Sequence, residues 1–89
     1  MIETQVVIIN KLGLHARAAA KFVTLASKFN AEIFLQKNHQ KVNGKSIMGV
    51  MMLAASQGTD LILSASGDDE KNATDELQLL IQNRFGEDE

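Results

Sequence analysis

Two side chains in the run Gly13-Leu14-His15-Ala16-Arg17 could carry chemistry together. Histidine is a usable nucleophile near neutral pH because a large share of imidazole is unprotonated there. A phosphoryl group placed on an imidazole nitrogen is also readily passed on. Such a site must stabilise a doubly negative group without locking it in place, and the start of a helix does so. Its first backbone N–H groups have no partners within the helix, and the dipole favours an anion there. The apolar spacing that follows places a helix start at Ala16, so the N–H groups of Ala16 and Arg17 would face an adduct on His15. Arg17 adds a permanent cation able to hold phosphoryl oxygens in a bidentate manner. Gly13 permits the sharp approach that exposes the imidazole. On residue type alone, however, a single histidine ahead of a helix is more often a polar cap or a surface residue, and an arginine there is more often solvated. Periodicity does not separate these readings.

Other candidates are weaker. Ser46 is a favoured N-cap for a short helix running to about Ala54, and capping needs no further role. Ile47, Met48, Met51 and Met52 crowd that helix on more than one face. Apolar residues at helical spacing are usually core, but so short a helix cannot bury all four against one sheet. His39 falls in an expected hairpin turn and reads as an ordinary surface residue. No metal site is expected, since two histidines on separate elements and no cysteine give no recognised ligand spacing.

The elements that must position these residues follow from pattern. Ile2 to Ile9 reads as a strand with Ile2, Val6 and Ile8 on one face, broken by Asn10-Lys11-Leu12-Gly13. Ala16 to Phe29 reads as a helix with Ala19, Phe22, Val23, Ala26 and Phe29 inward. Glu32–Lys37 and Gln40–Asn43 form a hairpin through Asn38-His39. The helix capped by Ser46 is closed by Gln57-Gly58. Leu61 to Ser66 is a fourth strand. Gly67-Asp68-Asp69 leads into a last helix with an apolar stripe of Ala73, Leu77, Leu80 and Ile81. The order β-α-β-β-α-β-α implies an α+β layer fold: a mostly antiparallel sheet with helices on one face.

Composition narrows the class. The 89 residues suit one domain spanning positions 1–89, and 45% hydrophobic residues suffice for a thin core. With no cysteine, disulfides are excluded, which suits a reducing compartment. The first residues do not form a secretory signal, and no apolar stretch approaches the length of a membrane span. A cytoplasmic location is expected. A net charge of −2, four Phe, no Trp and no Tyr argue against a small α+β nucleic-acid-binding domain. Acidic residues gather in Asp68-Asp69-Glu70, which would favour a helix start. A second group, Glu87-Asp88-Glu89, reads as a solvated tail.

Gly13-Leu14-His15-Ala16-Arg17 resembles the active-site motif of the HPr family, the histidine-containing phosphocarriers of the bacterial phosphotransferase system. Asn43-Gly44-Lys45-Ser46-Ile47-Met48-Gly49 resembles its second signature, and Leu53-Ala54-Ala55-Ser56-Gln57-Gly58-Thr59 the segment before its last strand. The resemblance runs from about Ile2 to Phe85. It implies an open-faced β-sandwich, a four-stranded antiparallel sheet with three helices on one side. It implies that His15 takes phosphate on Nδ1 from phospho-Enzyme I, charged by phosphoenolpyruvate, and gives it to IIA domains of sugar permeases. Arg17 would steady the group in transfer. Such a carrier is a substrate of its neighbours, without a cofactor, and not a turnover catalyst. By the same resemblance Ser46 is the target of HPr kinase/phosphorylase, and Ile47, Met48 and Met51 form the apolar patch that docks Enzyme I and IIA domains, with methionine suited to several partners. A monomer is expected from such transient complexes, with no nucleic acid bound and no membrane insertion. The chain departs from the family at Ala18, where proline is usual, and at Thr24 and Ser27, where many relatives are basic; Lys21, Lys28 and Lys45 remain to attract partners. Two other roles fit the same residues: a nitrogen-branch carrier feeding a regulatory IIA protein, and a binding module switched at Ser46 that passes no phosphate. An intact Gly44-Lys45-Ser46 favours the sugar branch, and a histidine at position 15 has no use in the module.

Overall fold

Period-two patterning and helical spacing produce the expected sequence of elements. The computed structural model describes residues 1–89. It contains β1 (Ile2–Val7), α1 (Ala16–Ala26), β2 (Glu32–Lys37), β3 (Gln40–Asn43), α2 (Ile47–Met52), β4 (Asp60–Ser66) and α3 (Glu70–Gln82), followed by a single 3₁₀ turn at Arg84–Gly86. The four strands form one antiparallel sheet in the order β1-β4-β2-β3. Ile33 stands opposite Ala65, Leu35 opposite Leu63, and Val6 opposite Leu61. These residues are all buried, whereas Gln5, Val7 and Ile62, which alternate with them, are exposed. The three helices cover the inward face and leave the other face open.

Helix α1 is rich in alanine, the strongest helix former. Its inward stripe is Ala18, Ala19, Phe22 and Ala26, all fully buried, with Val23 partly buried beside them. Small residues along this stripe let α1 lie close to α2 and α3, and Phe22 is fully buried. Helix α3 buries Ala73, Leu77 and Ile81, and Leu80 packs partly against them. Thr74 joins that stripe because its hydroxyl donates to the Glu70 and Lys71 carbonyls. An exposed Lys71–Asp75 pair at 2.9 Å lies on the outer face.

Element ends depart from the sequence reading for identifiable reasons. β1 ends at Val7, because Ile8 pairs with the turn before β4, through Ile8 N–H to Thr59 O (3.0 Å) and Gly58 N–H to Ile8 O (2.7 Å). α1 ends at Ala26, where the tighter three-residue bonds from Lys28 to Leu25 and from Phe29 to Ala26 replace the α-helical ladder. Gly58 does not close α2. That helix stops at Met52, Leu53 is its C-cap, and Ala54 takes a left-handed φ of 49°. The acidic group at the start of α3 does more than complement a dipole. Asp69 makes no side-chain cap bond; its carboxylate accepts from the N–H groups of Asn30 and Ala31, both at 2.9 Å, and so ties α3 to the entry of β2. The 3₁₀ turn has no counterpart in the sequence reading, although its Phe85 is among the largest fully buried side chains.

Two outcomes follow from this packing. Phe22→Ala should lower unfolding free energy by about 3–5 kcal/mol in urea titration, whereas Leu79→Ala, at an exposed position, should change it by less than about 0.5 kcal/mol. The Asn30 N–H, with help from Ala31, holds the Asp69 carboxyl below its ordinary value of 3.8. A carboxyl depressed in the folded state adds stability that is present above its unfolded value and lost as pH falls through the folded one. The difference in urea midpoint between wild type and Asp69→Asn should therefore be larger at about pH 7 than at about pH 2.

Candidate functional site

The chain leaving β1 has to turn sharply to reach α1, and Asn10 organises that turn. Asn10 is fully buried. Its carbonyl accepts from Gly13 N–H at 3.1 Å, and its side-chain Nδ2 donates to Gly13 O at 2.8 Å. Gly13 has φ +69°, and a Cβ there would lie 2.5 Å from Ala55 O and 2.9 Å from Ser56 Cα. Only glycine meets both the backbone angle and the close approach. The next residue, Leu14, is buried and donates its N–H to Ala55 O at 2.8 Å. The loop is thus pinned to the segment that leaves α2, and His15 is delivered to the N-cap of α1.

His15 has extended backbone angles, φ −71° and ψ 176°, and its carbonyl accepts the first intrahelical bond, from Ala19 N–H at 2.8 Å. Its side chain makes no capping bond. The imidazole is therefore not consumed by the helix start. Its Nε2 is hydrogen-bonded to Glu87 Oε2, while Nδ1 has no partner. The other carboxylate oxygen of Glu87 accepts from Asn10 Nδ2 at 2.9 Å. The bond from His15 first, and that from Asn10 second, hold the Glu87 carboxyl below its ordinary 4.5.

This arrangement corrects the reading of Glu87-Asp88-Glu89 as a solvated tail at Glu87, while Asp88 and Glu89 are exposed. Glu87 is folded back between His15 and Asn10, and Lys11 pairs with Glu89 at 3.6 Å. The return is anchored upstream, where Phe85 inserts into the core and Lys21 Nζ donates to its carbonyl at 2.7 Å. Asn10 and Glu87 are the site residues that sequence reading missed. The signal available was an asparagine in a turn beside an otherwise apolar strand end, which does not distinguish a buried bridge from an ordinary turn residue.

His15, Ala16 and Arg17 line one cleft of about 820 Å³, together with Lys11, Leu12, Glu87, Asp88 and Glu89. Arg17 is exposed and in no ion pair, so its guanidinium is available to an anion. The N–H groups of Ala16, Arg17 and Ala18 precede the first intrahelical bond. Ala18 is fully buried and the helix forms around it, so proline is not required at this position. Along α1, Arg17, Lys21 and Lys28 line a shallow groove with Thr24 and Leu25. Lys45 lies elsewhere, its Nζ donating to Phe29 O at 2.7 Å.

Ser46 and the methionines are not in this cleft. Ser46 caps α2, its Oγ accepting from Gly49 N–H at 3.1 Å. That helix buries Val50 alone. Ile47, Met48, Met51 and Met52 are all exposed, Met48 by 70% and Met52 by 67%. Met52 thus belongs to the exposed set as much as Ile47, Met48 and Met51 do. His39 is exposed in the turn between β2 and β3.

The cleft thus brings together a histidine whose Nδ1 has no partner, a helix start and an unpaired arginine, and the last two favour an anion. The family model described as the PTS HPr component phosphorylation site matches residues 2–83. The phosphocarrier protein HPr of Neisseria meningitidis serogroup A is 53% identical over 89 residues, covering 100% of both chains. Among solved structures, HPr-C-His from Thermoanaerobacter tengcongensis superposes with a TM-score of 0.96 at 53% identity, covering 100% of both chains. A structure described as an HPr dimer from the same organism gives 0.79 at 54% identity, covering 98% of this chain and 100% of that one. The chain belongs to the HPr family of phosphocarrier proteins of the phosphotransferase system.

Proposed function

We propose that this protein accepts a phosphoryl group on His15 from phospho-Enzyme I and donates it to IIA domains of sugar permeases. The observation that carries this reading is the unpartnered Nδ1 of a histidine set at a helix N-cap and not spent on capping. In the first step the Nδ1 lone pair forms a bond to the phosphorus of the donor, whose own bond to phosphorus breaks. The N–H groups at the start of α1 and the Arg17 guanidinium stabilise the oxygens of the transferred group. In the second step an acceptor attacks the same phosphorus and His15 leaves. No group in the site is consumed, so the protein is a carrier and not a turnover catalyst.

Docking falls to the exposed Ile47, Met48 and Met51 on α2, with Met52 beside them, and to the basic groove of Arg17, Lys21 and Lys28 on α1. Flexible methionines suit a surface that must fit more than one partner. Ser46 is a regulatory site for a protein kinase, HPr kinase/phosphorylase by family likeness. A phosphate at a helix start is tolerated by the fold and puts negative charge beside the docking surface. No helix is long and apolar enough to cross a membrane, and we place the protein in the cytoplasm. It works as a monomer in transient complexes; a dimer like that described for the Thermoanaerobacter tengcongensis relative is the contrasting state.

The direct test is transfer from phosphoenolpyruvate through purified Enzyme I to wild type and to His15→Ala. Acid-labile label on wild type and none on the variant is the expected outcome; label on His15→Ala, or none on wild type, would refute the proposal. Ser46→Asp should retain the thermal midpoint, since aspartate is also a favoured N-cap. It should slow labelling of His15 by Enzyme I by at least about tenfold, through like-charge repulsion at the docking surface. An unchanged rate would remove Ser46 from regulation.

A further inference from the structure

We propose that Glu87, held in place by Asn10, is a positioning residue that keeps the proton of His15 on Nε2, and so directs the phosphoryl group to Nδ1. This rests on the phosphocarrier reading of His15.

The geometry is a chain of three side chains drawn from both ends of the sequence. Asn10 Nδ2 has two hydrogens and two acceptors facing it, Gly13 O at 2.8 Å and Glu87 Oε1 at 2.9 Å. Turning the amide over would set its oxygen against both acceptors, so its orientation is fixed by its neighbours. The arrangement leaves the buried Asn10 Oδ1 without a donor. One amide group therefore both shapes the turn that presents His15 and aims the Glu87 carboxylate.

An ionised carboxylate has acceptors only, so the atom facing it on His15 must bring the hydrogen. Nε2 of His15 is that atom, and in the neutral ring Nδ1 is then left with the lone pair. Glu87 also covers Nε2, which shields it from an incoming donor. When Nδ1 forms its bond to phosphorus, the ring becomes cationic with the proton still on Nε2. The carboxylate then faces a positive charge, which it stabilises more than it stabilises the neutral ring. A carboxylate that orients a histidine through its far nitrogen is a recurring device in catalytic and metal sites. Here it is supplied by a segment that composition alone reads as solvent-exposed.

The test separates this role from a merely structural one by reading which nitrogen reacts. Wild type, Glu87→Ala and Glu87→Asp are treated with phosphoramidate, a small donor whose nitrogen–phosphorus bond breaks to release ammonia and which needs no docking surface. Phosphorus and nitrogen NMR then distinguish the two phosphohistidine isomers. The expected result is Nδ1-phosphohistidine alone in wild type. Glu87→Ala should give a mixture of Nδ1 and Nε2 adducts, with Nδ1 labelling about 10–100-fold slower, as for loss of the carboxylate partner of a liganding histidine. Its thermal midpoint should stay within a few degrees of wild type, and Glu87→Asp should restore part of the selectivity. Exclusive Nδ1 labelling of Glu87→Ala at the wild-type rate would overturn the proposal. Faster Nδ1 labelling of that variant would overturn it too, and would make Glu87 a guard against phosphorylation. Wild type that reacts with phosphoramidate at His15 yet takes no label from phospho-Enzyme I would instead defeat the carrier reading, with the isomer ratio still deciding the role of Glu87.

Discussion

A nucleophile placed at a helix start faces a conflict, because the same unpaired N–H groups that would stabilise its adduct invite its side chain to cap them. Here the conflict is resolved by the backbone. The turn from Asn10 to Gly13, closed by bonds in both directions and seated on Ala55, sets His15 in an extended conformation whose carbonyl begins the helix while its ring stays out of it. Gly13 is the residue on which this depends, since neither its positive φ nor its contact with the Ala55 carbonyl leaves room for a side chain. The loop is held by β4 and α2 indirectly, through the segment that joins them, so the sandwich as a whole fixes where the imidazole stands.

The ring is then divided between its two nitrogens. Nε2 is engaged by the fold, through Glu87 and Asn10, and Nδ1 is left without a partner, free for the proposed reaction. The charges around it are arranged unequally. Arg17 remains unpaired at the cleft, whereas the acidic group nearest the histidine is engaged at the far side of the ring. The apolar exposure of α2 stands apart from this chemistry, on an element whose one buried side chain is Val50.

Much of the fold is legible in the amino-acid sequence because periodicity carries it. The alternation at Ile33 and Leu35, the stripe through Ala19, Phe22 and Ala26, and the cap at Ser46 each have one physical solution, and the structure adopts it. Boundaries were less legible. Ala54 ends α2 in a left-handed conformation that alanine rarely takes, while the glycine better suited to that task serves a turn before β4. His15 and Arg17 were singled out by type and by the string around them. Asn10 and Glu87 were not, because their roles come from a contact across 77 residues that no local pattern encodes. The 3₁₀ turn that makes this contact possible is likewise tertiary in origin, fixed by the burial of Phe85 and the bond from Lys21.

A carrier would hold a phosphoryl group on His15 only to give it away. The measurement that tests it most directly is a chase. Protein phosphorylated on His15 is freed of donor, mixed with a IIA domain, and followed by the phosphorus signal of its phosphohistidine. For a carrier this signal should disappear as an equal amount of phosphorylated IIA domain forms, and return when excess phosphorylated IIA domain is added back. A phosphohistidine that persists beside a panel of IIA domains, decaying only to inorganic phosphate, would contradict it.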